Sequence, residues 1–116
     1  MKRNIQLYIE DIIACIDAIN VFIGDISFDD FASDDKTSSA IVRKIEIIGE
    51  AAKQIPVEVR NLEPALPWKE MTGMRDVIAH FYFGIDYQII WDVCKKKLPG
   101  LKAKMLHLIE LLNNIE

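Results

Sequence analysis

The sequence predicts an all-α fold, an up-and-down bundle of four or five helices forming a single domain over residues 1–116. Three observations carry that reading. Ile5, Ile9, Ile12, Ile16, Ile19 and Ile23 advance by alternating steps of four and three, the spacing of one helix face. Ile41, Ile45, Ile48, Ala52 and Ile55 repeat the pattern, and Leu101, Met105, Leu108, Leu112 and Ile115 give a third seam. No segment shows the apolar–polar alternation of a half-buried strand, and there is no internal repeat or low-complexity tract.

The first seam defines a helix from about residue 4 to residue 23, with Gly24 placed to end it. Residues 25–37 read as a solvated acidic connection, because Asp25, Asp29, Asp30, Asp34 and Asp35 lack the glycine and terminal glutamate of a calcium loop. Phe28 and Phe31 are expected to tack this connection onto the helices. A second helix is expected from about Thr37 to Gln54, capped by Asp35, Thr37 or Ser38. Gly49 lies inside it, where glycine costs roughly 1 kcal/mol relative to alanine. A glycine kept there marks close approach of another backbone, and Gly49-Glu50-Ala51-Ala52 offers a small-residue face for it.

Pro56, Pro64 and Pro67 punctuate the middle of the chain, leaving Val57–Leu62 for one or two short turns. Trp68 opens a third major helix, expected to run to about Tyr82 and to stop at Gly84. Asp86 caps a fourth helix, from about Tyr87 to Lys97. Pro99 interrupts it, and the chain resumes as Leu101–Ile115.

Composition narrows the function classes. The hydrophobic fraction of 51% is high for a small domain and hints at an additional apolar surface such as a dimer interface. The net charge of −4, from 14 basic and 18 acidic residues, argues against broad non-specific nucleic-acid binding. It leaves room for a small phosphate-handling cleft or a basic partner. No apolar run is long enough to cross a membrane, and Glu10, Asp11 and Asp17 interrupt any secretory leader, so a cytoplasmic protein is expected. Cys15 and Cys94 sit in apolar helical patterns without a CxxC and read as buried thiols.

The chemistry concentrates in Arg75-Asp76-Val77-Ile78-Ala79-His80-Phe81-Tyr82, which holds one of four arginines and one of two histidines. An imidazole moves protons near neutral pH, and a guanidinium fork holds phosphate oxygens. Asp76 and His80 are four apart and share a helix face, so Asp76 can orient the imidazole and raise its pKa. Arg75 and His80 are five apart, about 140° around a regular helix, and can meet by bending of the arginine or across a two-fold axis. Such a pair suits metal-independent RNA cleavage by internal transfer, with His80 as base or acid and Arg75 clamping the phosphorane. The purely structural reading of the same spacing is a partly buried His80 paired to Asp76, with Arg75 in a surface ion pair.

Tyr82 reads either as an amphipathic rim residue or as a modification target whose added charge and bulk would block the site. Lys95, Lys96, Lys97, Lys102 and Lys104 form the one basic cluster, a solvated face or else an RNA-backbone track. His107 reads as a surface or seam-edge residue without a role.

Beyond the short motif, the chain resembles the HEPN superfamily in its HepT-like branch. The resemblance rests on Phe31 to Asp35, Ala40-Ile41-Val42-Arg43, Ile47-Ile48-Gly49-Glu50-Ala51-Ala52, Pro67-Trp68-Lys69-Glu70-Met71, Gly73-Met74-Arg75-Asp76, His80-Phe81-Tyr82-Phe83-Gly84-Ile85-Asp86, Ile90-Trp91-Asp92 and Leu98-Pro99, in family order over about residues 25–105. It implies a helical bundle that forms a two-fold homodimer with its Arg-x4-His motifs facing a shared cleft. It implies a metal-independent endoribonuclease needing no cofactor, the toxin of a type VII-like toxin–antitoxin pair. The implied partner is an MNT-type nucleotidyltransferase antitoxin that silences the toxin by transferring AMP to Tyr82. Arg75 and His80 occupy the catalytic positions of the motif, and Asp76 the polar supporting position. A non-catalytic helical subunit that binds nucleotide or substrate for a nucleotidyltransferase is the alternative. A plain dimerisation module, in which the motif residues are structural, is a third.

Overall fold

The computed structural model describes residues 2–74, 76, 78 and 86–115. Among them the regular elements are all helical, in accord with the all-α expectation. In chain order they are α1 (Lys2–Ile23), α2 (Phe28–Ser33), α3 (Asp35–Lys53), α4 (Val57–Arg60), α5 (Trp68–Thr72), α6 (Tyr87–Asp92), a π turn (Val93–Lys97) and α7 (Leu101–Ile115). Met74, Asp76 and Ile78 are also helical. The described helices outnumber the four or five expected because short segments between the long ones are helical too.

The centre of the molecule is α1 against α3. Ile9, Ile12, Ile16, Ile19 and Ile23 of α1 are buried, as are Ile41, Ile45, Ile48 and Ala52 of α3. Each buried isoleucine contributes about 1.5–3 kcal/mol of apolar transfer, so this seam is the main source of stability. α7 lays Leu101, Met105 and Leu108 against α1, and α5 packs on α3.

Gly24 ends α1 with φ +43°, a conformation most side chains avoid, and its N–H donates to Asn20 O at 3.1 Å. The acidic connection contains α2, whose first turn holds Asp29 and Asp30 and whose N-cap is Ser27. Two carboxylates at a helix start favour the macrodipole, which explains helix where composition suggested only solvated loop. Phe31 is fully buried and meets Tyr87 and Trp91 at 6.1 and 5.5 Å, while Phe28 meets Trp91 edge-on at 5.7 Å. The two phenylalanines therefore tack this segment down as expected.

The cap of α3 is Asp34, one residue before the three candidates. Its carboxylate accepts from the Thr37 N–H at 3.1 Å and from the Thr37 hydroxyl at 2.7 Å, bonds that hold the Asp34 carboxyl below its usual pKa. The expected single helix from Trp68 is interrupted. α5 stops at Thr72, Gly73 forms a turn, and helix resumes at Met74. The Gly73 N–H still makes the helical bond to Lys69 O at 3.0 Å, a carbonyl the Thr72 hydroxyl shares at 3.1 Å, and the backbone leaves helical geometry at Gly73 itself, with ψ 5°. The rest of that expected helix, with its stop at Gly84, lies outside the described residues. Asp86 caps α6 as expected, accepting from the Ile89 N–H at 3.3 Å. Ahead of Pro99 the chain widens into the π turn, closed by the Leu98 N–H on Val93 O at 2.9 Å, with Val93, Cys94 and Leu98 all buried.

Both thiols are free and buried. Burial pushes Cys94 up to about 12 and raises Cys15 as well. No helix among the described residues is long and apolar enough to cross a membrane.

Candidate active site

Of the four residues singled out for chemistry, the structure describes Asp76. Arg75, His80 and Tyr82 lie outside the described residues, as does the proposed contact of Asp76 with His80. Asp76 is helical and exposed, and its N–H donates to Gly73 O at 3.0 Å. Met74 and Ile78, four apart on one helix face, are both buried. Asp76 stands midway between them in sequence, on the opposite side, where a carboxylate remains hydrated.

What the structure shows in detail is how the chain is led to this stretch. Gly49 fulfils its expected role. A Cβ built there would stand 3.3 Å from Met71 O and 3.4 Å from Met74 Cβ, so the missing side chain is the space that α5 and Met74 occupy. Met71 and Met74 are buried in that contact. A mid-helix glycine that costs about 1 kcal/mol of helix propensity thus allows backbone to approach α3 immediately before Arg75.

The entry to α5 is held by residues that sequence reasoning passed over. Arg60 donates through Nε to Ile55 O at 2.8 Å and through Nη2 to Ala52 O at 3.1 Å, satisfying carbonyls at the end of α3. Its guanidinium carbon also lies 5.9 Å from the Trp68 ring centre. Trp68 Nε1–H donates to Glu63 O at 3.0 Å. His107, given no role from sequence, lies 2.6 Å through Nδ1 from Glu63 Oε2, and Lys104 Nζ is 3.5 Å from Ala65 O. The loop between α4 and α5 is therefore tied to α3 on one side and α7 on the other. Trp68 and the run of prolines were visible signals, but its partners were not.

The lysine cluster is occupied locally. Lys95 lies 5.0 Å from the Trp91 ring centre, Lys96 pairs with Asp92 at 3.6 Å, and Lys97 with Glu70 at 3.7 Å. Lys102 pairs with Asp17 at 2.8 Å. Exposed pairs of this kind contribute little each, and here they spread positive charge over neighbouring carboxylates. The arrangement matches a solvated face better than a dedicated phosphate track.

A groove of about 410 Å³ opens between α1 and α3. Tyr8 and Asp11 line one wall, and Arg43, Ile47, Glu50, Ala51 and Gln54 the other. The Arg43 guanidinium pairs with Glu46 on the exposed rim.

Comparison with known proteins agrees with the architecture. Residues 2–108 match the ribonuclease HepT-like family model. The chain is 46% identical over 104 residues to a protein of Thermococcus cleftensis named as a probable ribonuclease HepT, covering 90% of this chain and 94% of that one. It is 41% identical over 99 residues to the candidate RNase MJ0127 of Methanocaldococcus jannaschii, covering 85% and 82% of the two chains. It is 40% identical over 103 residues to the candidate RNase TTE0752 of Caldanaerobacter subterraneus, covering 89% and 92%. No solved structure matches the chain at a significant level. With described elements that are all helical and a matched span that runs from α1 into α7 and takes in residues 75–82, the chain belongs to the ribonuclease HepT-like family of the HEPN superfamily.

Proposed function

We infer that this protein is a metal-independent endoribonuclease, the toxin of a pair whose antitoxin is an MNT-type nucleotidyltransferase, and that it acts as a homodimer. The observation that carries this reading is the ribonuclease-family match across residues 2–108, a span that contains Arg75, Asp76, His80 and Tyr82. The backbone seat at Gly49 supports it, because a site that acts on one phosphate needs its supporting segment held in a single position.

In this reading His80 takes the proton from a ribose 2′-hydroxyl. The 2′-oxygen forms a bond to phosphorus as the bond to the 5′-oxygen breaks. The 5′-oxygen leaves with a proton from an acid, a role the second His80 of the dimer fills. The products are a 2′,3′-cyclic phosphate and a free 5′-hydroxyl. Arg75 holds the non-bridging oxygens as charge builds on them. Asp76, hydrated and on the non-core side of its helix, orients the imidazole and stabilises its protonated form. Silencing follows if the Tyr82 hydroxyl attacks the α-phosphorus of ATP on the partner and releases pyrophosphate. The added phosphate and adenosine then fill the cleft with charge and bulk.

The test is incubation of the purified protein with total cellular RNA in EDTA, beside His80→Ala. Cleavage by the parent alone, leaving 2′,3′-cyclic phosphate ends, is the expected result. A folded dimer with unmodified Tyr82 that leaves RNA intact overturns it and favours a nucleotide-binding subunit. For the antitoxin, co-expression should add one or more AMP masses to Tyr82. A neutralised complex with unmodified Tyr82 contradicts the transfer.

A further inference from the structure

The groove between α1 and α3 has the make-up of a base-reading subsite. On α3 and its C-cap, Arg43, Ile47, Glu50 and Gln54 fall at i, i+4, i+7 and i+11, one stripe along roughly 16 Å. On α1, Tyr8 and Asp11 are three apart and face that stripe across the groove. Tyr8 is half-buried and supplies an aromatic face. Ile47 supplies an apolar floor, and the polar groups stand around both.

We propose that this groove binds one nucleotide of the RNA strand that the enzyme cleaves, stacking its base on Tyr8 and reading its edge with Asp11 and Gln54. The proposal rests on the ribonuclease reading above. A base in single-stranded RNA is free to splay out, and aromatic stacking with edge hydrogen bonds is the common way proteins recognise it. A carboxylate accepts hydrogen bonds and donates none. It therefore selects a base with an exocyclic amine, cytosine, adenine or guanine, and disfavours uracil, whose edge is mainly acceptors. Arg43 at the far end of the stripe is the phosphate clamp. Its side chain is 66% exposed, and its present partner Glu46 is a surface pair that a phosphate can replace.

Position links the groove to the motif. Glu50 follows Gly49 directly, and Gly49 is the residue on which Met71 and Met74 close just before Arg75. The groove and the seat of the segment that leads to Arg75 therefore share one length of α3.

The test uses the dimeric protein and four short RNAs differing only in the base beside the cleaved bond, with Tyr8→Leu, Asp11→Asn, Gln54→Ala and Arg43→Glu. Melting and sedimentation check fold and dimerisation. The parent should cleave the uracil substrate least. Tyr8→Leu should raise KM about tenfold, with a far smaller change in kcat. Asp11→Asn should flatten the preference among bases, since an amide can both donate and accept. Binding of the same labelled RNAs to His80→Ala should show the same ranking. Folded variants with the parent's KM and base preference overturn the subsite and leave the ribonuclease reading intact. Loss of the dimer in Tyr8→Leu or Arg43→Glu also overturns it, making the groove an interface between copies. Tight binding of free AMP, CMP or GMP with no change in RNA cleavage by the variants overturns it in favour of a mononucleotide site. A folded parent that neither binds nor cuts RNA overturns subsite and ribonuclease reading together.

Discussion

α3 meets its two main partners in different ways. Against α1 it presents Ile41, Ile45 and Ile48, and the two helices interlock through side chains that fill space between backbones. Against the segment from α5 to Met74 it presents Gly49, and backbone approaches where a side chain would stand. The first contact is broad and apolar, so it yields stability and tolerates changes that conserve volume. The second is narrow and sets position, because a Cβ there would stand 3.3 Å from the Met71 carbonyl and would push that backbone outward by a few tenths of an ångström. The chain keeps its stability in one contact and the seating of the segment that precedes Arg75 in the other.

The sharpest separation of the two uses substitutions on the same helix. Ile45→Ala, which empties a fully buried position, should cost about 3 kcal/mol in chemical denaturation. RNA cleavage per folded molecule should stay near the parent's value. Gly49→Val should cost less stability, about 2 kcal/mol, yet abolish most cleavage even where the protein is folded. If the two variants lose activity in proportion to stability, the division of labour is wrong.

A pH experiment probes the packed side of the comparison through Cys94, held near 12 by burial from an ordinary 9.0. The folded state favours the neutral thiol, so the unfolded chain releases its proton first as pH rises. The stability Cys94 contributes is fully present below pH 9 and is lost towards pH 12, by at most about 1.4 kcal/mol per pH unit. Denaturant melts of the parent and Cys94→Ala at pH 8 and pH 10.5 should show their difference shifting against the parent. A pH-independent difference would mean the thiol titrates normally. The smallest effect is expected at the loop that leads into α5. His107→Ala removes a contact between a half-exposed imidazole and a Glu63 side chain only 14% exposed, and should lower stability by about 1 kcal/mol. It should also speed hydrogen exchange of the Trp68 indole N–H, whose acceptor is Glu63 O. Unchanged exchange would show that the tie to α7 is idle.

The same contrast explains which features were legible. The isoleucine seams of α1 and α3 announce their elements because a helix repeats its environment every 3.6 residues, and a buried face must repeat with it. Gly49 was legible as a close approach, since little else justifies glycine inside a strong helix pattern, but not as a seat for Met71 and Met74. The cap fell one residue early, at Asp34, because four neighbouring polar residues could each cap and only backbone geometry chooses. α2 was hidden by its short length and acidic composition, and the turn at Gly73 by an apolar pattern that runs on through it. In the candidate site, Arg75, Asp76, His80 and Tyr82 were legible as residue types at motif spacing. Arg60 on Trp68, His107 at Glu63 and the Tyr8–Arg43 groove were not, because those partners lie eight to 44 residues apart.

By itself the sequence determined the helical class, the two long central helices, the burial of both cysteines and the residues able to do chemistry, since all follow from local periodicity and side-chain type. Only the tertiary structure decided that α5 breaks before the motif, that Gly49 receives the backbone of its end, that the lysines face nearby carboxylates and the Trp91 ring, and that α1 and α3 leave a groove between them. These depend on which distant residues meet in space, and no regularity within one helix encodes the identity of its neighbour.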